Sequence, residues 1–178
     1  MPVLVTAYVR LGEPCCDLCF DTCFDFCRKH NQIDRGVLFG GLSNVTNLGL
    51  AAHDAYRIHT GNSGVAVLKR DMKSCPIFSN LKTLVLNGCV MAREVGSLVC
   101  FLQHAPILEE IILQLYDLRD EVKMGEWCSS LEEFVPSEHL KMVEVRCKKV
   151  DVNVHKFVEI LNTYGIPSDL VNIRETDN

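Results

Sequence analysis

The frame Leu81-Lys82-Thr83-Leu84-Val85-Leu86-Asn87-Gly88-Cys89 constrains this chain more than any other feature. It reads L-x-x-L-x-L-x-x-C. Side chains of a strand alternate between its faces, so Leu84 and Leu86 share one face while Val85 takes the other. Four weaker copies follow the same frame: Leu4–Val9, Val45–Leu50, Leu108–Leu113 and Leu140–Val145. The frames begin at residues 4, 45, 81, 108 and 140, so the spacings are 41, 36, 27 and 32. One copy is an ordinary buried strand. Five in order make a repeat with insertions.

The spacing is the signature of a leucine-rich repeat, whose regular period is about 20–29 residues. A single unit of this kind cannot bury its own leucines and must stack on a neighbour. The expected fold is therefore α/β: an irregular leucine-rich-repeat solenoid with parallel strands on the concave side and helices on the convex side. Helical segments return the chain between strands, as a right-handed coil requires. Val95, Leu98, Val99 and Leu102 stand at i, i+3, i+4 and i+7, which predicts a helix over roughly Ala92 to His104. Pro106 forbids its continuation. Val154, Phe157, Val158 and Leu161 repeat the spacing. Asp151 is placed to cap that second helix, Gly165 to end it, and Pro167 lies beyond.

These residues also carry a resemblance. Cys75-Pro76-Ile77-Phe78-Ser79-Asn80-Leu81-Lys82-Thr83-Leu84 resembles plant F-box/leucine-rich-repeat proteins of the grass type. Leu98–Pro106 with Leu108-Glu109 does so as well. His139–Cys147, Val154-His155-Lys156 and Tyr164-Gly165-Ile166-Pro167 resemble the FBD-like tail of that family. The resemblance spans about residues 36–173. It implies the substrate-recognition part of a Skp–cullin–F-box ubiquitin ligase, with a protein substrate held on the repeat face. Nothing here resembles the F-box itself, so the Skp adaptor is an expected partner only if an F-box is supplied upstream. The chain reads as the C-terminal half of a longer receptor. Its alternative is a stand-alone or decoy binding protein without a ligase link. If Met1 is the true start, the first strand lacks its preceding repeat, and a chain expressed alone is expected to aggregate or need a partner.

The organisation expected is a repeat region over 1–136 and an FBD-like repeat or cap over 137–178. Within the first, Pro2–Leu11 is a strand, 12–35 a cysteine-rich insertion and Ala51–Ser74 a loop. Asp117–Pro136 is acidic and loop-rich, with a short helix near Leu131–Phe134. Arg174–Asn178 is polar and expected to fray. By alternation, the strand residues exposed to a partner are Lys82, Thr83, Val85, Glu110, Ile112, Lys141 and Glu144.

Composition narrows the partners. A net charge of −5 argues against nucleic acid. The one basic cluster, Arg146, Lys148 and Lys149, reads as a solvated turn after a strand. No apolar run is long enough to span a membrane, and Val3–Val9 lacks the basic flank of a signal peptide. The compartment expected is cytoplasmic or nuclear, where thiols stay reduced.

Five of the ten cysteines crowd one segment: Cys15, Cys16, Cys19, Cys23 and Cys27. Three readings stand. Cys16, Cys19, Cys27 and His30 are ligand types that zinc prefers, which makes a zinc-binding regulatory module the third functional alternative. Cys15, Cys19, Cys23 and Cys27 are spaced to form one helical stripe. The third reading is an irregular insertion between repeats. Cys75, Cys128 and Cys147 have no assignable partner, Cys100 lies within the first helix, and His104 falls where it can cap helix carbonyls. No nucleophile elbow, phosphate loop, dinucleotide fingerprint or H-E-x-x-H occurs. The reading is not an enzyme, with no catalytic, cofactor-binding or metal residues assigned and no cofactor.

Overall fold

The structure, a computed structural model, describes residues 5–11, 37–52, 71–87, 96–115 and 137–176. The strands are β1 (Thr6–Leu11), β2 (Asn47–Ala52), β3 (Thr83–Asn87), β4 (Glu110–Gln114), β5 (Met142–Cys147) and β6 (Val171–Glu175). The helices are α1 (Val37–Leu42), α2 (Gly96–His104) and α3 (Val152–Thr163). The fold is α/β. Its six strands form one sheet in the order β1-β2-β3-β4-β5-β6, and every neighbouring pair is parallel.

Each frame read in the sequence becomes a strand, and the last four turn their apolar frame residues inward. Val45, Leu48 and Leu50 are buried, as are Leu81, Leu84 and Leu86, then Leu108, Ile111 and Leu113, then Leu140, Val143 and Val145. These positions align from strand to strand: Leu48 lies beside Leu84, Leu84 beside Ile111 and Ile111 beside Val143. Burial on this face is nearly complete because α1, α2 and α3 cover it. Phe39 and Leu42 of α1, Leu98, Val99, Phe101 and Leu102 of α2, and Val154, Phe157 and Leu161 of α3 join the strand residues in one core.

The way into β2, β3, β4 and β5 is the same each time. The N–H of the first apolar residue of the frame donates to the carbonyl three residues earlier, closing a tight turn. The pairs are Val45 to Leu42 (3.2 Å), Leu81 to Phe78 (3.3 Å), Leu108 to Ala105 (3.2 Å) and Leu140 to Ser137 (3.0 Å). Pro106 suits the second position of its turn, where φ must be near its own fixed value. The next two N–H groups then converge on the carbonyl of the residue just before the preceding strand. Thr46 and Asn47 donate to Val5, Lys82 and Thr83 to Thr46, Glu109 and Glu110 to Lys82, and Lys141 and Met142 to Glu109, all between 2.8 and 3.3 Å. The backbone therefore recurs at the spacing of the sequence frames.

Helix α3 is bounded as its sequence dictates. The Asp151 carboxylate accepts from the N–H groups of Asn153 (2.9 Å) and Val154 (3.0 Å), which have no partner inside the helix. At the other end Gly165 takes φ 78°, a conformation strained for any residue with a Cβ. This lets Ile166 N–H reach the Leu161 carbonyl (3.1 Å) and Gly165 N–H reach that of Asn162 (2.9 Å). The paired bonds and the buried Ile166 make a Schellman ending.

Several expectations are corrected. Arg174 and Glu175 do not fray: they belong to β6, and Thr176 N–H donates to Cys147 (2.9 Å). An edge strand needs only backbone partners on one side, so polar side chains do not disqualify it. Ala51 and Ala52 extend β2, and Asp71 and Met72 are helical, so the loop expected over Ala51–Ser74 is shorter at both ends. Helix α2 is described from Gly96, and its buried arc includes Phe101, which the four-residue stripe omitted. Val158 is half-buried rather than buried. The cysteine-rich segment 12–35, Cys89, Val95, Cys128 and the short helix at Leu131–Phe134 lie outside the described residues. Among the described residues no helix is long and apolar enough to cross a membrane.

Candidate functional site

The face of the sheet opposite the core is built by the third and fifth members of each frame and by the strand residues that continue their alternation. Parallel register places them in rows across the strands. One row runs Thr6, Asn47, Thr83, Glu110, Met142. The next runs Tyr8, Gly49, Val85, Ile112, Glu144, Asn172. A third holds Asn87, Gln114, Arg146 and Arg174. The middle row is apolar at its centre and polar at the β5 end. Thr83, Val85, Glu110, Ile112 and Glu144, all expected on the partner face, stand here half-buried. Val85 and Ile112 lie side by side on adjacent strands and are half-buried on the face away from the core.

Gly49 has a steric role in this row. A Cβ at this position would lie 2.4 Å from Tyr8 Cδ2. The glycine lets the Tyr8 ring lie across β2 while 67% of the residue stays exposed. An amphipathic ring laid flat and wet is suited to a contact surface.

Charges order the two margins. At the β5–β6 margin the Glu144 carboxylate accepts from Arg146 Nε (2.8 Å) and Nη2 (3.2 Å), a bidentate fork, and Arg174 Nη1 stands 3.7 Å away. The Arg146 fork, and then the neighbouring positive charges, hold the Glu144 carboxyl below its ordinary range against the opposing effect of burial. Two guanidinium groups therefore gather around the Glu144 carboxylate. At the strand entrances, Lys82 and Lys141 both reach Glu109, at 3.0 and 2.5 Å. They precede the strands and so sit on the rim, not within the rows.

Glu109 yields a pH prediction. Its hydrogen bond from Lys141, then that from Lys82, pull its carboxyl down to about 2. The folded value is depressed below an unfolded value near 4.3. Its contribution to stability is therefore present above the unfolded value and lost as pH falls toward the folded one. In a carboxyl-resolved NMR titration, Glu109 is expected to titrate near 2 and to return toward an ordinary glutamate when Lys82 and Lys141 are both replaced by alanine. An unchanged midpoint in that double variant would remove the ion pairs as the cause.

No protein-family model, curated protein or solved structure matches the chain.

Among the described residues the open face presents no cysteine, histidine or serine. What it offers is an apolar centre, amide and hydroxyl donors, and a guanidinium margin. That combination matches the make-up of protein contact surfaces. Of the basic cluster, Arg146 lies on this face, while Lys148 and Lys149 are exposed in the bend after β5. The zinc reading of Cys16, Cys19, Cys27 and His30 falls outside the described residues. His104 does meet a helix carbonyl: its Nδ1 lies 2.8 Å from the Cys100 oxygen. Cys147 is buried, and burial pushes its thiol up, as expected of an inert structural thiol. Cys75 does have neighbours, Cys100 and His104. The spacing Cys100-x3-His104 was the available signal, since it puts both side chains on one side of a helix.

Proposed function

We propose that this chain is a leucine-rich-repeat solenoid whose open sheet face binds a protein, as the substrate-recognition part of an F-box-type ubiquitin ligase receptor. The observation that carries the solenoid reading is the repeated way into β2, β3, β4 and β5, the same turn followed by the same pair of converging N–H groups. A stack of equivalent units produces such recurrence naturally, because each unit solves the same packing problem against its neighbour. The sequential strand order favours it further. A doubly wound sheet reverses its order and binds ligands at the reversal. Here no reversal occurs among the described strands.

In this reading the strands line the concave side and a partner lies across Tyr8, Val85, Ile112 and the Arg146–Arg174 margin. The apolar centre supplies contact area, and the guanidinium margin selects for acidic or carbonyl-rich surface on the partner. The ligase part of the proposal rests on the sequence resemblance alone.

The test places a photo-crosslinking residue at Val85, at Ile112 and, as a control, at Glu159 on the exposed side of α3. One protein is expected to be trapped from both face positions and not from Glu159. Val85→Lys with Ile112→Lys should weaken its binding by about tenfold or more, the size of a central hot-spot loss. Equal trapping from all three positions would dismiss the face as the binding surface. If the trapped protein turns over no faster when an F-box is fused upstream, the binding role stands and the ligase role falls.

A further inference from the structure

We propose that Cys75, Cys100 and His104 form a binding site for a thiophilic metal ion, zinc above others. One donor atom from each of the three lies within 4.8 Å of the other two. In a tetrahedral zinc site with Zn–S of about 2.3 Å and Zn–N of about 2.0 Å, donor atoms stand about 3.6 Å apart. The observed spread is wider than that, so the donors draw together when the ion binds.

Two elements bring the donors together. Cys100 and His104 are one turn apart on α2, on the side facing the segment that leads to β3. Cys75 comes from that segment, which is fixed on both sides of it. Phe78 N–H donates to the His104 carbonyl (2.8 Å), and the Asp71 carboxylate accepts from Leu38 N–H of α1 (2.9 Å). The two sulfurs are close enough that the Cys75 thiol hydrogen-bonds to Cys100, which pushes Cys75 up and Cys100 down. All three residues are half-buried, shielded from bulk water yet open to an ion.

The donor set selects the ion. Thiolate and imidazole ligands suit zinc, and the absence of carboxylates from the set disfavours magnesium and calcium. Two thiolates and a neutral imidazole exactly offset a divalent charge, so the half-buried site carries no net charge. A monovalent copper ion would leave it negative. Binding displaces one proton from each thiol to solvent, so affinity rises with pH. The Cys100 carbonyl can only accept, so His104 Nδ1 carries the hydrogen in the 2.8 Å contact and Nε2 keeps the lone pair. Holding one ring nitrogen on a backbone carbonyl is the usual way to fix a ligating histidine. The fourth position of the tetrahedron is left to a ligand outside these three.

The site is independent of the open face, which lies on the other side of the sheet from α2. Its test uses the full chain, reduced and stripped of metal, with each thiol followed by its alkylation rate in a mass spectrometer. Added zinc is expected to slow alkylation of Cys75 and Cys100 together. His104→Ala keeps both thiols but should abolish the protection. In a background with Cys15, Cys16, Cys19, Cys23 and Cys27 replaced by serine, cobalt should bind at one equivalent. It should give a sulfur-to-cobalt charge-transfer band that Cys100→Ser removes, and zinc should raise the melting temperature of that background but not of its His104→Ala form. Zinc that leaves both thiols reactive, protection that survives His104→Ala, or a Cys75–Cys100 disulfide that persists under reductant would each overturn the proposal.

Discussion

Phe101→Ala is expected to cost about 3–5 kcal/mol, the range for truncating a buried aromatic ring. Folded domains of this size are stable by only about 5–15 kcal/mol, so the loss takes much of the margin. Phe101 is fully buried, and its ring meets two others. It packs edge-on to Phe39 at 5.4 Å between centroids and tilted against Phe78 at 5.5 Å, while Phe39 and Phe78 are 5.9 Å apart. Each ring comes from a different element: α1, the turn before β3, and α2. The trio therefore ties α1, α2 and the approach to β3 together, where the sheet alone would tie only the strands. Edge-to-face ring pairs add about 0.5–1.5 kcal/mol beyond the area they bury. Phe101→Leu keeps most of the volume but loses those ring contacts, and is expected to cost about 1–2 kcal/mol. Urea unfolding of the full chain separates the two. A Phe101→Ala midpoint close to the parent's would mean that α2 repacks without the trio.

The strands were legible because a buried parallel strand leaves a strict record. Leu84 and Leu86 had to alternate with Val85, and a shift by one residue would have turned all three over. The ends of α3 were legible for a related reason: Asp151 and Gly165 answer local needs that few residue types meet. Helix α1 was not. Val37-Leu38-Phe39-Gly40-Gly41-Leu42 holds two poor helix formers, and added Cβ atoms at Gly40 or Gly41 would meet nothing within 4 Å. The segment is helical because Phe39 and Leu42 must reach the core, a tertiary demand invisible in local pattern. Strand β6 escaped for the opposite reason, since Asn172, Ile173, Arg174 and Glu175 are all exposed and record no burial. Alternation placed Thr83, Val85, Glu110, Ile112 and Glu144 on the open face correctly. It could not bring Cys75 to Cys100, because that contact depends on where α2 packs rather than on either residue's neighbours.

Asp71→Ala should destabilise the chain by about 1.5–3 kcal/mol, the range for losing a hydrogen bond to an ionisable group. Asp71 is fully buried, the only polar or charged residue so placed among the described ones. Its Oδ2 accepts from Leu38 N–H at 2.9 Å. That N–H lies in the first turn of α1, where no helix carbonyl can satisfy it. Alanine removes the acceptor and leaves a backbone donor unpaired near the core, which costs more than the bond itself was worth. Asparagine keeps an acceptor oxygen in the same place. Asp71→Asn is therefore expected to lose less than half as much, and Asp71→Leu at least as much as alanine because its added bulk meets the same orphaned donor. The order Asn, Ala, Leu in unfolding midpoints tests the bond rather than the volume. Should asparagine prove as damaging as alanine, the Leu38 contact is not what Asp71 contributes. Because Asp71 anchors the segment carrying Cys75, the alanine variant should also raise the alkylation rate of Cys75 more than that of Cys147, the buried last residue of β5.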